Sequence, residues 1–142
     1  MAADRSSSRK HILVINDTVA ILELFTALLE DEGYQVSTDM FSIEMGVMLE
    51  RVKADPPDLI VLDFIIGDEA KGWQFLELLK LDPATRVLPL IVCTAAVAKV
   101  EELQTHLAQM QVGVVLKPFD IDHLLAEITK VFARAVPHED RA

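Results

Sequence analysis

The sequence predicts an α/β domain, a parallel five-stranded sheet wrapped by helices on both sides in a (βα)5 arrangement. Three observations predict it. Five short apolar runs recur along the chain. The segments between them carry apolar residues at three- and four-residue steps, the helical period. Four of the five runs are apolar almost throughout, as strands covered on both faces are.

The elements follow in order. "HILVI" (11–15) is the first strand, after the polar start "MAADRSSSRK". In 18–32, Ile21, Leu22, Phe25, Leu28 and Leu29 make one helix face, and Gly33 is its stop signal. "YQVST" (34–38) is more polar and suits a sheet edge. A weaker helix over 42–54 ends at "ADPPD" (54–58), and "DLIVL" (58–62) is the third strand. The next helix, 72–81, opens with Trp73 as a packing anchor and is broken by "LDP" (81–83). "LPLIVC" (88–93) is the fourth strand, with Pro89 at its start, where the ladder needs no N–H. Residues 96–110 carry Val97, Val100, Leu103, Leu107 and Met110 on one face, and "VGVVL" (112–116) follows. Residues 119–134 give the clearest stripe: Ile121, Leu124, Leu125, Ile128, Val131 and Phe132. The expectation is one domain over 11–135, a disordered tail over 1–10, a second tail over 136–142, and no attached output domain.

Composition narrows the function classes. The 142 residues suffice for one real core, and 51% hydrophobic with 25% charged residues is ordinary for a globular domain. Twenty-three acidic against 13 basic residues give a net charge of −10, which argues against nucleic acid as a partner. No apolar stretch approaches the roughly 18 residues of a membrane span. The polar start lacks a signal-peptide segment, and one cysteine fits a reducing compartment, so a cytoplasmic location is expected.

Ligands of parallel α/β sheets bind at the carboxyl ends of the strands. There the sequence places Asn16 and Asp17 after the first strand, Asp63 after the third, Thr94 after the fourth and Lys117-Pro118 after the fifth. Each has a plain alternative: Asp17 and Thr94 as helix caps, Lys117 as a surface lysine. Asp63 is hardest to dismiss, because burying a carboxylate beside "LIVL" is costly unless it is paired or liganded. Two adjacent carboxylates repel by about 1 to 4 kcal/mol at ~4 Å, a conflict that a divalent cation resolves. A lysine and a hydroxyl nearby suit the oxygens of a phosphoryl group, and an aspartate can be the nucleophile that accepts it.

With "ILVIND" (12–17), "DLIVLDF" (58–64), "PLIVCTA" (89–95) and "VVLKPF" (114–119) in this order and spacing, the chain resembles a receiver domain of the two-component response regulators over roughly 10–135. The resemblance implies a flavodoxin-like sheet of strand order 2-1-3-4-5. It implies that Asp63 accepts phosphate from a histidine kinase, a phosphotransfer protein or a small donor such as acetyl phosphate. Mg2+ would be bound by Asp17, Asp63 and the backbone carbonyl of Ile65, with Asn16 reaching it through water. Thr94 and Lys117 would hold phosphoryl oxygens, and the Lys117–Pro118 bond would be cis. Any enzymatic activity would be at most Mg-dependent self-phosphorylation and loss of that phosphate, without turnover of external substrates. The output would pass to a protein partner through the fourth helix, fifth strand and fifth helix, with homodimerisation left open.

Three departures matter. Asn16 stands where the family has an acid, so metal binding should survive but weaken. The loop "IIGDEAKG" lacks the usual Met-Pro-x-Met pattern and sets Gly72 nine residues after Asp63, one later than usual; Asp68 and Glu69 there read as solvent-exposed. Val114 replaces the usual Tyr or Phe of the switch, so Thr94 has no ring to move. Ile65 and Ala96, at positions that tune phosphate loss, are both apolar, which suits a long-lived acyl phosphate.

Other readings compete. A phosphorylation-insensitive adaptor is favoured by Asn16 and Val114 and opposed by Asp17, Asp63, Thr94 and Lys117. A haloacid-dehalogenase-type hydrolase needs an aspartate where Ile65 stands. A flavodoxin needs a Gly- and hydroxyl-rich phosphate loop, where "NDTVAI" presents a carboxylate. Cys93 reads as core. His11, His106, His123 and His138 show no metal-ligand spacing, with His106 and His123 solvated on helices, and the methionines read as core filler.

Overall fold

The structure, a computed structural model, describes residues 9–40, 44–63, 71–94, 97–116 and 121–135. Strands and helices alternate: β1 (His11–Ile15), α1 (Val19–Asp31), β2 (Gln35–Asp39), α2 (Met45–Ala54), β3 (Leu59–Leu62), α3 (Lys71–Leu81), β4 (Leu90–Thr94), α4 (Val97–Gln109), β5 (Gly113–Leu116) and α5 (Ile121–Ala135). The strands form one sheet in the order β2-β1-β3-β4-β5, all pairs parallel. The polar β2 is indeed at an edge.

Strand alternation divides the core into two layers. On one face Ile12, Val14, Val61, Ile91, Cys93 and Val115 meet Leu22, Phe25 and Leu29 of α1 and Leu124, Ile128 and Val131 of α5. On the other, Ile15, Ile60, Leu62, Leu90 and Val92 meet Met48 and Val52 of α2, Phe75, Leu76 and Leu79 of α3, and Val100 and Leu107 of α4. Cys93 is therefore core, as its strand phase implies, and half-buried Trp73 packs on the second layer with its ring 5.7 Å from that of exposed His106. Met48 fills the core, but Met40, just past the edge strand, is 39% exposed and is not core filler.

Helix ends explain the chain reversals. α1 closes in a Schellman motif: Tyr34 N–H donates to Leu29 O (3.1 Å) and Gly33 N–H to Glu30 O (2.9 Å), with Gly33 at φ +95°. α4 closes the same way, Val112 N–H to Leu107 O (3.0 Å) and Gln111 N–H to Ala108 O (3.0 Å), but the left-handed residue is Gln111 at φ +59°. After α3, the buried Thr85 hydroxyl donates to Leu79 O (2.6 Å) and Ala84 N–H donates to Asp82 Oδ1 (2.8 Å). Asp82 also pairs with Lys53 of α2 at 3.1 Å.

Some boundaries differ from the sequence reading. β4 begins at Leu90 rather than Leu88, because Leu88 N–H closes a turn on Thr85 O (3.0 Å) and Pro89 has no N–H for the ladder. It runs on to Thr94, which is buried though polar. β2 starts and ends one residue later than 34–38, since Tyr34 is used to close α1. Arg9, which the sequence places in the tail, donates to Gly33 O (3.4 Å) and Tyr34 O (3.1 Å), and the Lys10 ammonium lies 5.6 Å over the Phe132 ring. No described helix is long and apolar enough to cross a membrane.

Candidate functional site

β1, β3 and β4 are neighbours, so whatever follows them shares one edge of the sheet. Ile15 pairs with Leu62, which sets Asn16 beside Asp63. Asp63 N–H donates to Ile15 O (3.3 Å), continuing the ladder one step past the strands. Asn16 is 5% exposed and held on three sides. Its N–H donates to Asp39 O (3.1 Å), its Oδ1 accepts Thr18 N–H (3.0 Å), and its Nδ2 donates to Asp63 Oδ2 (3.4 Å). The Asx turn onto Thr18 decides the orientation: with Oδ1 on the backbone, the amide must turn its NH2 toward the carboxylate.

Asp17 is exposed and accepts the Thr18 hydroxyl at 3.3 Å. It is not the cap of α1; Thr18 holds that position and makes no side-chain cap bond. Asp63 is half-buried. Thr94 is 1% exposed and paired with Leu116 inside the β4–β5 ladder, so it is not at the capping position of α4 either. The structure therefore brings Asn16, Asp17, Asp63 and Thr94 to one edge. Lys117, Pro118, Ile65, Ala96, Asp68 and Glu69 lie outside the described residues. Val114 is half-buried on β5, opposite Val92 and against the core.

Among the described residues no group of three or more His, Cys, Asp or Glu side chains forms a metal cluster. Two carboxylates at this edge, with an amide in place of a third, still suit Mg2+, which takes one or two carboxylates and keeps several waters. Asp39 was not singled out from sequence, and its carbonyl is what anchors Asn16. Its signal lay in the last position of the edge strand, legible only once the strand is extended by a residue.

The family model of the response regulator receiver domain matches residues 12–129. The chain belongs to that family. The phosphate regulon transcriptional regulatory protein PhoB of Klebsiella pneumoniae is 29% identical over 131 residues, covering 90% of this chain and 54% of the relative. That of Rhizobium meliloti is 32% identical over 127 residues, 89% and 53% of the two chains. The chain thus spans about half the length of these curated relatives. Among solved structures, a sensor protein from Polaromonas sp. JS666 superposes with a TM-score of 0.75 at 24% identity, covering 90% of this chain and 99% of that one. Vibrio cholerae chemotaxis protein CheY4 gives 0.72 at 20% identity, over 87% and 99%. Both show the fold alone.

Proposed function

We propose that this receiver domain accepts a phosphoryl group on Asp63 in the cytoplasm and signals by contact with another protein. The observation that carries the reading is the convergence of Asn16, Asp17, Asp63 and Thr94 at the carboxyl ends of three adjacent strands. A carboxylate oxygen of Asp63 attacks phosphorus, the bond from phosphorus to the donor's imidazole nitrogen breaks, and the imidazole leaves as the acyl phosphate forms. Asp17 and Asp63 would hold Mg2+, with the Ile65 carbonyl and, through water, Asn16; a bound ion neutralises the phosphoryl oxygens. Asn16 positions the acceptor carboxylate. Thr94 and Lys117 would receive phosphoryl oxygens, and the α4–β5–α5 face would carry the signal onward to a protein.

The test is the intact mass of the purified chain after incubation with acetyl phosphate and Mg2+, beside Asp63→Asn and a metal-free control. One added phosphate, absent from both controls, is the expected result. No added phosphate, together with no beryllofluoride binding, favours the second reading, a phosphorylation-insensitive adaptor. The observation on that side is the Asn16 amide, which already supplies a partner to Asp63.

A further inference from the structure

Between α4, β5 and α5 runs a groove of about 490 Å³. Val100, Leu107 and Val114 give it apolar walls, and Gly113 lies on its floor. Over that glycine sits the carboxylate of Glu127 from α5: a Cβ at position 113 would stand 2.8 Å from its Oε2. The Glu127 side chain is only 12% exposed, and its Oε1 meets Lys130 Nζ at 3.6 Å. That lysine is 63% exposed, and a long pair at the solvent contributes little to holding a carboxylate so deep. Glu101 adds a second acid to the lining. A groove lined by apolar residues and by Glu101, Gln104, Glu127 and Lys130, with the Glu127 carboxylate sunken in it, is complementary to a cation carried on an apolar segment.

We propose that this groove takes a basic amphipathic segment of a partner protein, which lays an Arg or Lys side chain on Glu127 and apolar side chains along Val100 and Val114. The inference rests on the reading of this face as the signalling surface, and adds the chemistry of what it recognises. The net charge of −10 steers such a segment toward the chain. A second copy of the chain would instead bring the same excess of acid to a groove that already holds two carboxylates.

The probe is a 15-residue helical peptide of Leu and Arg, titrated into the 15N-labelled full chain and followed by amide shifts, beside a Leu/Glu peptide of the same pattern. Glu127→Gln keeps the shape and removes the charge; Glu30→Gln, exposed on α1, removes the same charge elsewhere. The expected result is shifts confined to 112–116 and the facing turns of α4 and α5, with affinity about tenfold weaker in Glu127→Gln and unchanged in Glu30→Gln. Equal weakening in both variants, binding of the Leu/Glu peptide, or self-association through this face overturns the proposal. A parallel titration with Mg2+ and beryllofluoride separates the two layers. If the face responds to beryllofluoride but the peptide does not bind, the signalling surface stands and the basic partner falls. If the face does not respond, the surface reading itself is lost, and the inference with it.

Discussion

The side-chain nitrogen of Asn16 lies 3.4 Å from Oδ2 of Asp63, aimed there because the amide oxygen is bound by Thr18 N–H at 3.0 Å. An amide donor thus stands beside the carboxylate where a second acid would repel it. The arrangement offers an incoming cation one negative charge fewer than an acid at position 16 would.

Asn16→Asp is therefore expected to tighten Mg2+ binding by roughly tenfold, read by isothermal titration calorimetry. Without metal the same variant places like charges side by side, so its Tm should fall below that of the parent. Saturating Mg2+ should close the gap, because a ligand that binds only the folded state stabilises it. A Tm that ignores Mg2+ in both proteins would show that this edge does not hold the ion.

Two helices end in the same motif with different residues at the left-handed position, Gly33 after α1 and Gln111 after α4. Gln111→Gly should stabilise by up to about 1 kcal/mol, since glycine removes the left-handed strain at some cost in unfolded-state entropy. Gly33→Ala should destabilise by about 1 kcal/mol, and purely through conformation, because a Cβ there meets nothing within 4 Å. Urea unfolding midpoints measure both.

Gly113→Ala tests packing. Its Cβ would meet Glu127 Oε2 at 2.8 Å, Val131 Cγ2 at 3.1 Å and Ile91 Cγ1 at 3.2 Å. The glutamate tip can swing away, but the two β-branched side chains belong to the buried layer under α5. A loss of about 1–3 kcal/mol in chemical denaturation is expected.

Asp82 and Lys53 give stability a pH signature. The Ala84 N–H, and then the Lys53 ammonium, hold the Asp82 carboxyl below its ordinary 3.8. Asp82, followed by Glu50, raises Lys53 above 10.5. A depressed carboxyl stabilises fully above its unfolded value, and the effect is lost as pH falls through the lower folded one. A raised lysine stabilises fully below 10.5, and the effect is lost as pH climbs through the higher folded value. The advantage of the parent over Asp82→Asn should thus be constant from about pH 5 to 9 and shrink on both sides, as Tm against pH will show.

Much of this architecture is legible in the chain itself. β1, β3 and β4 announce themselves because helices on both faces demand apolar residues at nearly every position. Boundaries fail where a residue's role is not its polarity: Thr94 is buried in a strand though polar, and Pro89 is apolar and accepts the Ile60 N–H (3.1 Å) but has no N–H to give the ladder. At the site, the residue types and the edge they share follow from the sequence. The direction of the Asn16 amide does not, because it depends on a backbone N–H two residues away. Glu127 was invisible for a similar reason: on a polar helix face it looks like one half of a surface pair with Lys130, and only the β5–α5 packing sets it over Gly113.

Asn16 and Asp63 are 47 residues apart in sequence. They meet only when β1 has paired with β3 and the long loop between them has closed, a step resisted by chain entropy and slow relative to local helix formation. A chain whose helices have coiled but whose β1 and β3 have not zipped carries Asp63 in water, away from Asn16, so the pairing is also a checkpoint on the joining of those two central strands.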